Sequence, residues 1–122
     1  MEVVLTDLMM LFDDFDEKQC PDTLEKFYYF ICSRSSEIAE LTLFPQAKKL
    51  SLTIKSDQTI VCLLSLINCD CIKTRLKEKV VVITSGYDEL YFHIECDLLL
   101  GDHIHLRIDP NWHIPFSFMR SI

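Results

Sequence analysis

Residues 20–32 read CPDTLEKFYYFIC, a segment with the marks of a helix start. Asp22 stands at the cap position, Glu25 follows three residues on as its capping-box partner, and Leu24, Phe27, Tyr28 and Ile31 recur at i, i+3, i+4 and i+7. Such spacing lays one apolar stripe along a helix. Pro21 disfavours a helical conformation at Cys20 and so separates this element from an earlier one. In that earlier segment Thr6 can cap a helix whose positions Leu8, Leu11, Phe12 and Phe15 share the same spacing. Both starts are acidic, which suits the positive end of a helix dipole.

From Ile38 onward the apolar period changes to two. AKKLSLTIKSDQTIVCLLSLIN (47–68) reads as a hairpin, with Leu50, Leu52 and Ile54 on one face, a polar turn at Ser56-Asp57-Gln58, and an apolar return strand through Ile67. KVVVITSGYDELYFHIECDLLLGDHIHLRID (79–109) adds strands at about 79–84, 89–100 and 102–109, with turn signals at Ser85-Gly86 and Gly101-Asp102. The expected fold class is α+β: two N-terminal helices packed on an antiparallel meander of about five or six strands. A chain of 122 residues suits a single compact domain, helical over 6–33, strand-rich over 38–109, with a C-terminal apolar segment over 110–122.

The charge is unevenly placed. Through Glu25 there are eight acidic residues against Lys18 alone, which already accounts for the net −7, and the remainder holds eleven acids and eleven bases. Repulsion from phosphates therefore disfavours a nucleic-acid partner at that end. Lys73, Arg75, Lys77 and Lys79 form the one basic concentration, two residues apart; a solvated strand edge is the plainer reading of them, and a nucleic-acid module using 73–79 is a rival.

No basic leader opens the chain, since Glu2 and Asp7 interrupt its apolar start, and no run approaches the roughly 18 apolar residues of a membrane span. A chain this apolar needs no disulfide staples. Its six cysteines (Cys20, Cys32, Cys62, Cys69, Cys71 and Cys96) are expected as free thiols in the cytoplasm or nucleus, with no membrane association.

No motif marks a nucleophile, its base and an orienting group, and no cofactor is expected. A small cysteine-dependent enzyme using one of the six thiols and one of the four histidines is the catalytic rival. Cys69 and Cys71, with His103 and His105, offer two thiolates and two imidazoles to zinc at i, i+2 spacing, but C-x-C and H-x-H are weak signals and solvent-facing histidines are preferred.

LMMLFDDFDE (8–17) resembles the acidic-aromatic motifs that transactivation domains offer to a partner's groove. Against that stands the gain of about 1.5–3 kcal/mol for each large side chain buried on a sheet. The core reading is favoured, with Asp13, Asp14, Asp16 and Glu17 as an exposed acidic surface.

The return strand has more apolar positions than one face can hold: Ile60, Cys62, Leu64 and Leu66 point one way, Val61, Leu63 and Ile67 the other. A strand apolar on both faces must be covered on both. Two helices cover one face, so a second copy is the simplest cover for the other, and Ile60, Cys62, Leu64 and Leu66 are the residues expected at the self-association surface. The tail NWHIPFSFM (111–119) carries Trp112, Phe116 and Phe118; it either closes the sheet edge or remains for a partner.

FPQAKKLSLTIKSDQTIVCLLSLI (44–67), followed by KVVVITSGYDELYFHIECDLLL (79–100), resembles the strand-rich half of the adenovirus early-region-4 third-reading-frame protein family. The likeness rests on SL…D…VCLL and on the turn leading into an alternating strand. It covers about half the chain, and residues 101–122 have no counterpart. It implies a non-enzymatic viral protein that dimerises, assembles further and captures host nuclear regulators; no functional residue is carried over. The expected function is accordingly an intracellular protein-protein interaction module, a viral accessory or regulatory protein that binds proteins including itself.

Overall fold

The computed structural model describes the backbone of residues 1–86 and 93–108, of which 66% are strand and 7% helix. The expected α+β class is therefore wrong, and the fold is mostly β. In chain order the elements are β1 (Glu2–Val3), α1 (Leu5–Leu11), β2 (Asp14–Gln19), β3 (Lys26–Arg34), β4 (Glu37–Phe44), β5 (Lys49–Ser56), β6 (Thr59–Leu66), β7 (Cys69–Arg75), β8 (Val80–Gly86), β9 (His93–Leu100) and β10 (Ile104–Ile108). They form two five-stranded sheets, an antiparallel meander β2-β3-β4-β5-β6 and a mixed sheet β1-β7-β8-β9-β10 in which β1 runs parallel to β7.

The second expected helix is the hairpin β2–β3. Its capping box does not form: residues 20–25 close the hairpin, with the Cys20 N–H donating to the Glu25 carbonyl and the Leu24 N–H to the Cys20 carbonyl. Phe27 through Cys32 is a run of six aromatic, β-branched or thiol side chains, a strand composition. A continuous apolar run satisfies helical spacing and alternation alike, and pairing on both sides decides between them. Phe30 and Cys32 enter the core while Tyr29 and Ile31 take the other face.

The first helix exists but is one element of seven residues. It starts at Leu5 with Val4 in the cap position and no side-chain cap, so Thr6 is inside it and not before it. So short a helix depends on packing. Leu8, Leu11 and the following Phe12 are buried, and the Asp7 carboxylate accepts from the Thr74 hydroxyl at 3.1 Å, tying α1 to β7. Phe15, assigned to the same helical stripe, lies on β2, its ring 5.1 Å from that of Phe30 and stacked at 6.1 Å on Tyr28.

The hairpin at 47–68 is present as β5 and β6, joined by a two-residue turn with Asp57 and Gln58 both at positive φ, the requirement of a type I′ turn. β8, β9 and β10 correspond to the three later strands. Ser85-Gly86 is no turn, since β8 continues through Gly86 opposite His93.

One core serves both sheets. Ala39, Leu41, Leu43, Leu50 and Leu52 from the meander and Val81, Ile83, Cys96, Leu98 and Leu100 from the mixed sheet belong to a single buried cluster. The meander is thus covered on its inner face by another sheet, with α1 as a minor addition. Ser85, the one polar residue buried among the described residues, donates its hydroxyl to the Ile67 carbonyl at 2.6 Å and so holds the crossing from β6 to β7. At another junction Arg34 Nε donates to the Gly101 carbonyl at 2.9 Å, and the Ile104 N–H donates to Glu37 Oε1 at 3.1 Å.

Candidate interaction surface

β6 is the last strand of the meander and pairs with β5 alone among the described residues. Ile54 faces Cys62 but Lys55 faces Ile60, so Val61 is an extra residue, a β-bulge. The bulge breaks the expected alternation. Cys62, Leu64 and Leu66 do turn to the core, but Ile60 is thrown to the outer face, 56% exposed beside Val61 at 61% and Leu63 at 66%. Ile67, at the end of the strand, is 46% exposed.

No charged side chain occurs between Gln58 and Cys69. On the neighbouring strand Lys55 is already engaged, its ammonium 2.9 Å from Glu40 on the outer face. The surface around β6 is therefore apolar and close to neutral, with one row of backbone donors and acceptors unpaired among the described residues. Long apolar edges of this kind template pairing with another strand.

At the opposite edge, β2 carries Asp14, Asp16 and Glu17, all exposed as expected. Lys18 lies 4.0 Å from Asp16 and Lys26 3.9 Å from Glu17, loose pairs in water. Asp13 belongs to the same acidic run but has a structural task. Its carboxylate accepts from the Ser33 N–H at 2.7 Å and from Arg34 Nη1 at 3.1 Å. The Ser33 N–H holds the Asp13 carboxyl below its ordinary range; partial burial opposes this, and Arg34 adds to it.

The four residues weighed for zinc are not brought together. A bulge at Asp70 puts Cys69 in the core, with Cys71 facing away from it beside the short β1. β8 and β9 separate β7 from β10, about 14 Å at the usual strand spacing. His105 is exposed on β10, and exposed His103 sits just before it with Nδ1 3.4 Å from Glu37. Lys73 and Arg75 do share the exposed face of β7, whereas Lys77 and Lys79 lie in the turn after it. Trp112, Phe116 and Phe118 are outside the described residues.

Burial pushes the Cys96 thiol up to about 12 and the Cys69 thiol up to about 11, with Asp97 and Asp70 adding to the respective shifts. Burial also raises Cys32 and Cys62. None of these four is poised as a thiolate near neutral pH. No described helix is long and apolar enough to cross a membrane.

No family model, curated protein or solved structure matches this chain. Sequence reasoning picked out the β6 segment and the acidic run, but of the four β6 residues it assigned to self-association only Ile60 faces outward, while Cys62, Leu64 and Leu66 pack toward the core. What it missed was the edge position of β6, the bulge at Val61 and the engagement of Asp13, none of which has a local sequence signal.

Proposed function

We propose that the protein is a non-enzymatic interaction module that associates with itself and captures other proteins through exposed surface. The observation that carries this reading is an eight-residue, charge-free edge strand with Ile60, Val61 and Leu63 more than half exposed. Buried Cys32, Cys69 and Cys96 and half-buried Cys62, all held in the protonated form at neutral pH, support it over a cysteine-dependent enzyme. Six free cysteines support action in the cytoplasm or nucleus, where thiols stay reduced. The likeness of residues 44–67 and 79–100 to the adenovirus family extends the proposal to a viral accessory protein whose captured partners are host factors.

Cross-linking of the full chain in cell extract tests the proposal. Discrete complexes above 14.3 kDa, containing further copies or other proteins, are expected. A chain that stays at its own mass overturns the reading, and one native cysteine reacting with a thiol-directed probe far faster than the others would then redirect it to catalysis.

A further inference from the structure

We propose that two copies of this chain pair antiparallel through β6, about a two-fold axis within Cys62–Leu66, so that two five-stranded meanders become one ten-stranded sheet. This rests on the reading of the protein as self-associating and names the surface responsible.

Among the described residues the four sheet edges are not equivalent. β1 is two residues long. β10 has five, with exposed His105 and Arg107. β2 presents three carboxylates. Short strands and edge charges are the usual devices that prevent sheets from joining, and β6 has neither. Its bulge lies at Val61, near the start of the strand, which leaves Cys62–Leu66 as a regular segment able to add a partner.

Charge selects a second copy in this orientation. Each chain carries −7, so association must keep the acidic regions apart. Sheet order puts β2 four strand positions from β6. In the joined sheet the two β2 edges stand nine spacings apart, about 43 Å, several times the screening length of about 8–10 Å. At the junction itself neutral side chains meet neutral side chains. Pairing β6 of one copy with β2 of the next would instead bring Leu63 and Ile60 against Asp and Glu and would propagate without closing. The two-fold pairing closes, satisfies the backbone row that is unpaired among the described residues, and brings the two copies of Leu63 beside each other across the junction.

Sedimentation of the full chain at micromolar concentration tests this. The expected mass is twice 14.3 kDa. Leu63→Lys places two like charges close to the axis and should halve the mass with unchanged circular dichroism; Leu63 is 66% exposed, so the fold should tolerate the change. Ser65→Lys, exposed within the same segment, is the second variant should the first misfold, and Met10→Lys, exposed on α1 rather than at the meander edge, should stay dimeric.

A dimer that survives both β6 variants overturns the pairing but keeps self-association. A wild-type monomer that still captures other proteins in extract overturns the pairing and keeps the interaction reading. Wild type that grows with concentration beyond the dimer overturns the closed two-fold form. Slow amide exchange across Cys62–Leu66 in a monomer would assign this edge to the chain's own residues 109–122 and equally overturn the proposal.

Discussion

β2 and β6 end the same sheet at opposite edges, and they are built in opposite ways. β2 is chemically hostile to a partner strand, with exposed Asp14, Asp16 and Glu17, and is anchored from beneath by Phe15 on Phe30. β6 is chemically inviting, with Ile60, Val61 and Leu63 outward and Cys62, Leu64 and Leu66 inward. The difference teaches that an edge is protected by what its side chains do to an incoming strand, not by how firmly it is held to its own sheet. Both strands are paired along one side, β6 with the single interruption at Val61. Only one repels on the other.

The largest effect should come from the anchor beneath β2. Phe30 is fully buried, with rings of Phe12 and Phe15 at 5.4 and 5.1 Å, so Phe30→Ala should cost about 3–5 kcal/mol in urea unfolding. A cost below about 1 kcal/mol would mean that β2 is held by its backbone ladder alone, and the contrast between the edges would fail.

A smaller effect is expected at Asp13, where the acidic run stops being a guard and becomes a bracket. Asp13→Asn should cost about 1 kcal/mol at neutral pH, a figure kept low because the side chain is 48% exposed. The folded carboxyl lies below the ordinary 3.8, so this stabilisation is present above 3.8 and is lost as pH falls through the lowered value. Urea midpoints of wild type and variant should differ by a constant amount near neutral pH and converge in acid. Convergence on raising the pH would contradict the assignment.

The smallest effect on folding should be at β6 itself. Ile60→Lys, measured by unfolding at concentrations low enough for a monomer, should change stability by no more than about 0.5 kcal/mol, because the side chain is already 56% exposed. A loss of 2 kcal/mol or more would place Ile60 in the core and remove the basis for reading β6 as a surface built for contact.

The error over residues 20–32 has a physical cause. Asp22, Glu25 and the i, i+3, i+4, i+7 positions were real features of the sequence, but six consecutive bulky residues from Phe27 fit either period. In the folded chain β2 and β4 offer Phe27–Cys32 two ladders of backbone hydrogen bonds, and burial of Phe30 and Cys32 on one side fits alternation. LFDDFDE behaves in a parallel way: Leu11 ends the helix and Phe12 follows it into the core, whereas Asp14 onward is strand.

By itself the amino-acid sequence determined what is local: the alternation of Leu50, Leu52 and Ile54, a polar turn at Ser56-Asp57-Gln58, the return strand of β6, the acid concentrated before Glu25, and the apolar surplus of IVCLLSLI. These are properties of near neighbours, set by backbone dihedrals and side-chain hydropathy. Tertiary structure alone decided that Phe27–Cys32 is a strand, that the meander is covered by a second sheet, that Val61 bulges and turns Ile60 outward, and that β6 lies at an edge. Each of those outcomes depends on which segment supplies the other half of a hydrogen-bond ladder or a packed face, and a strand carries no record of its partner.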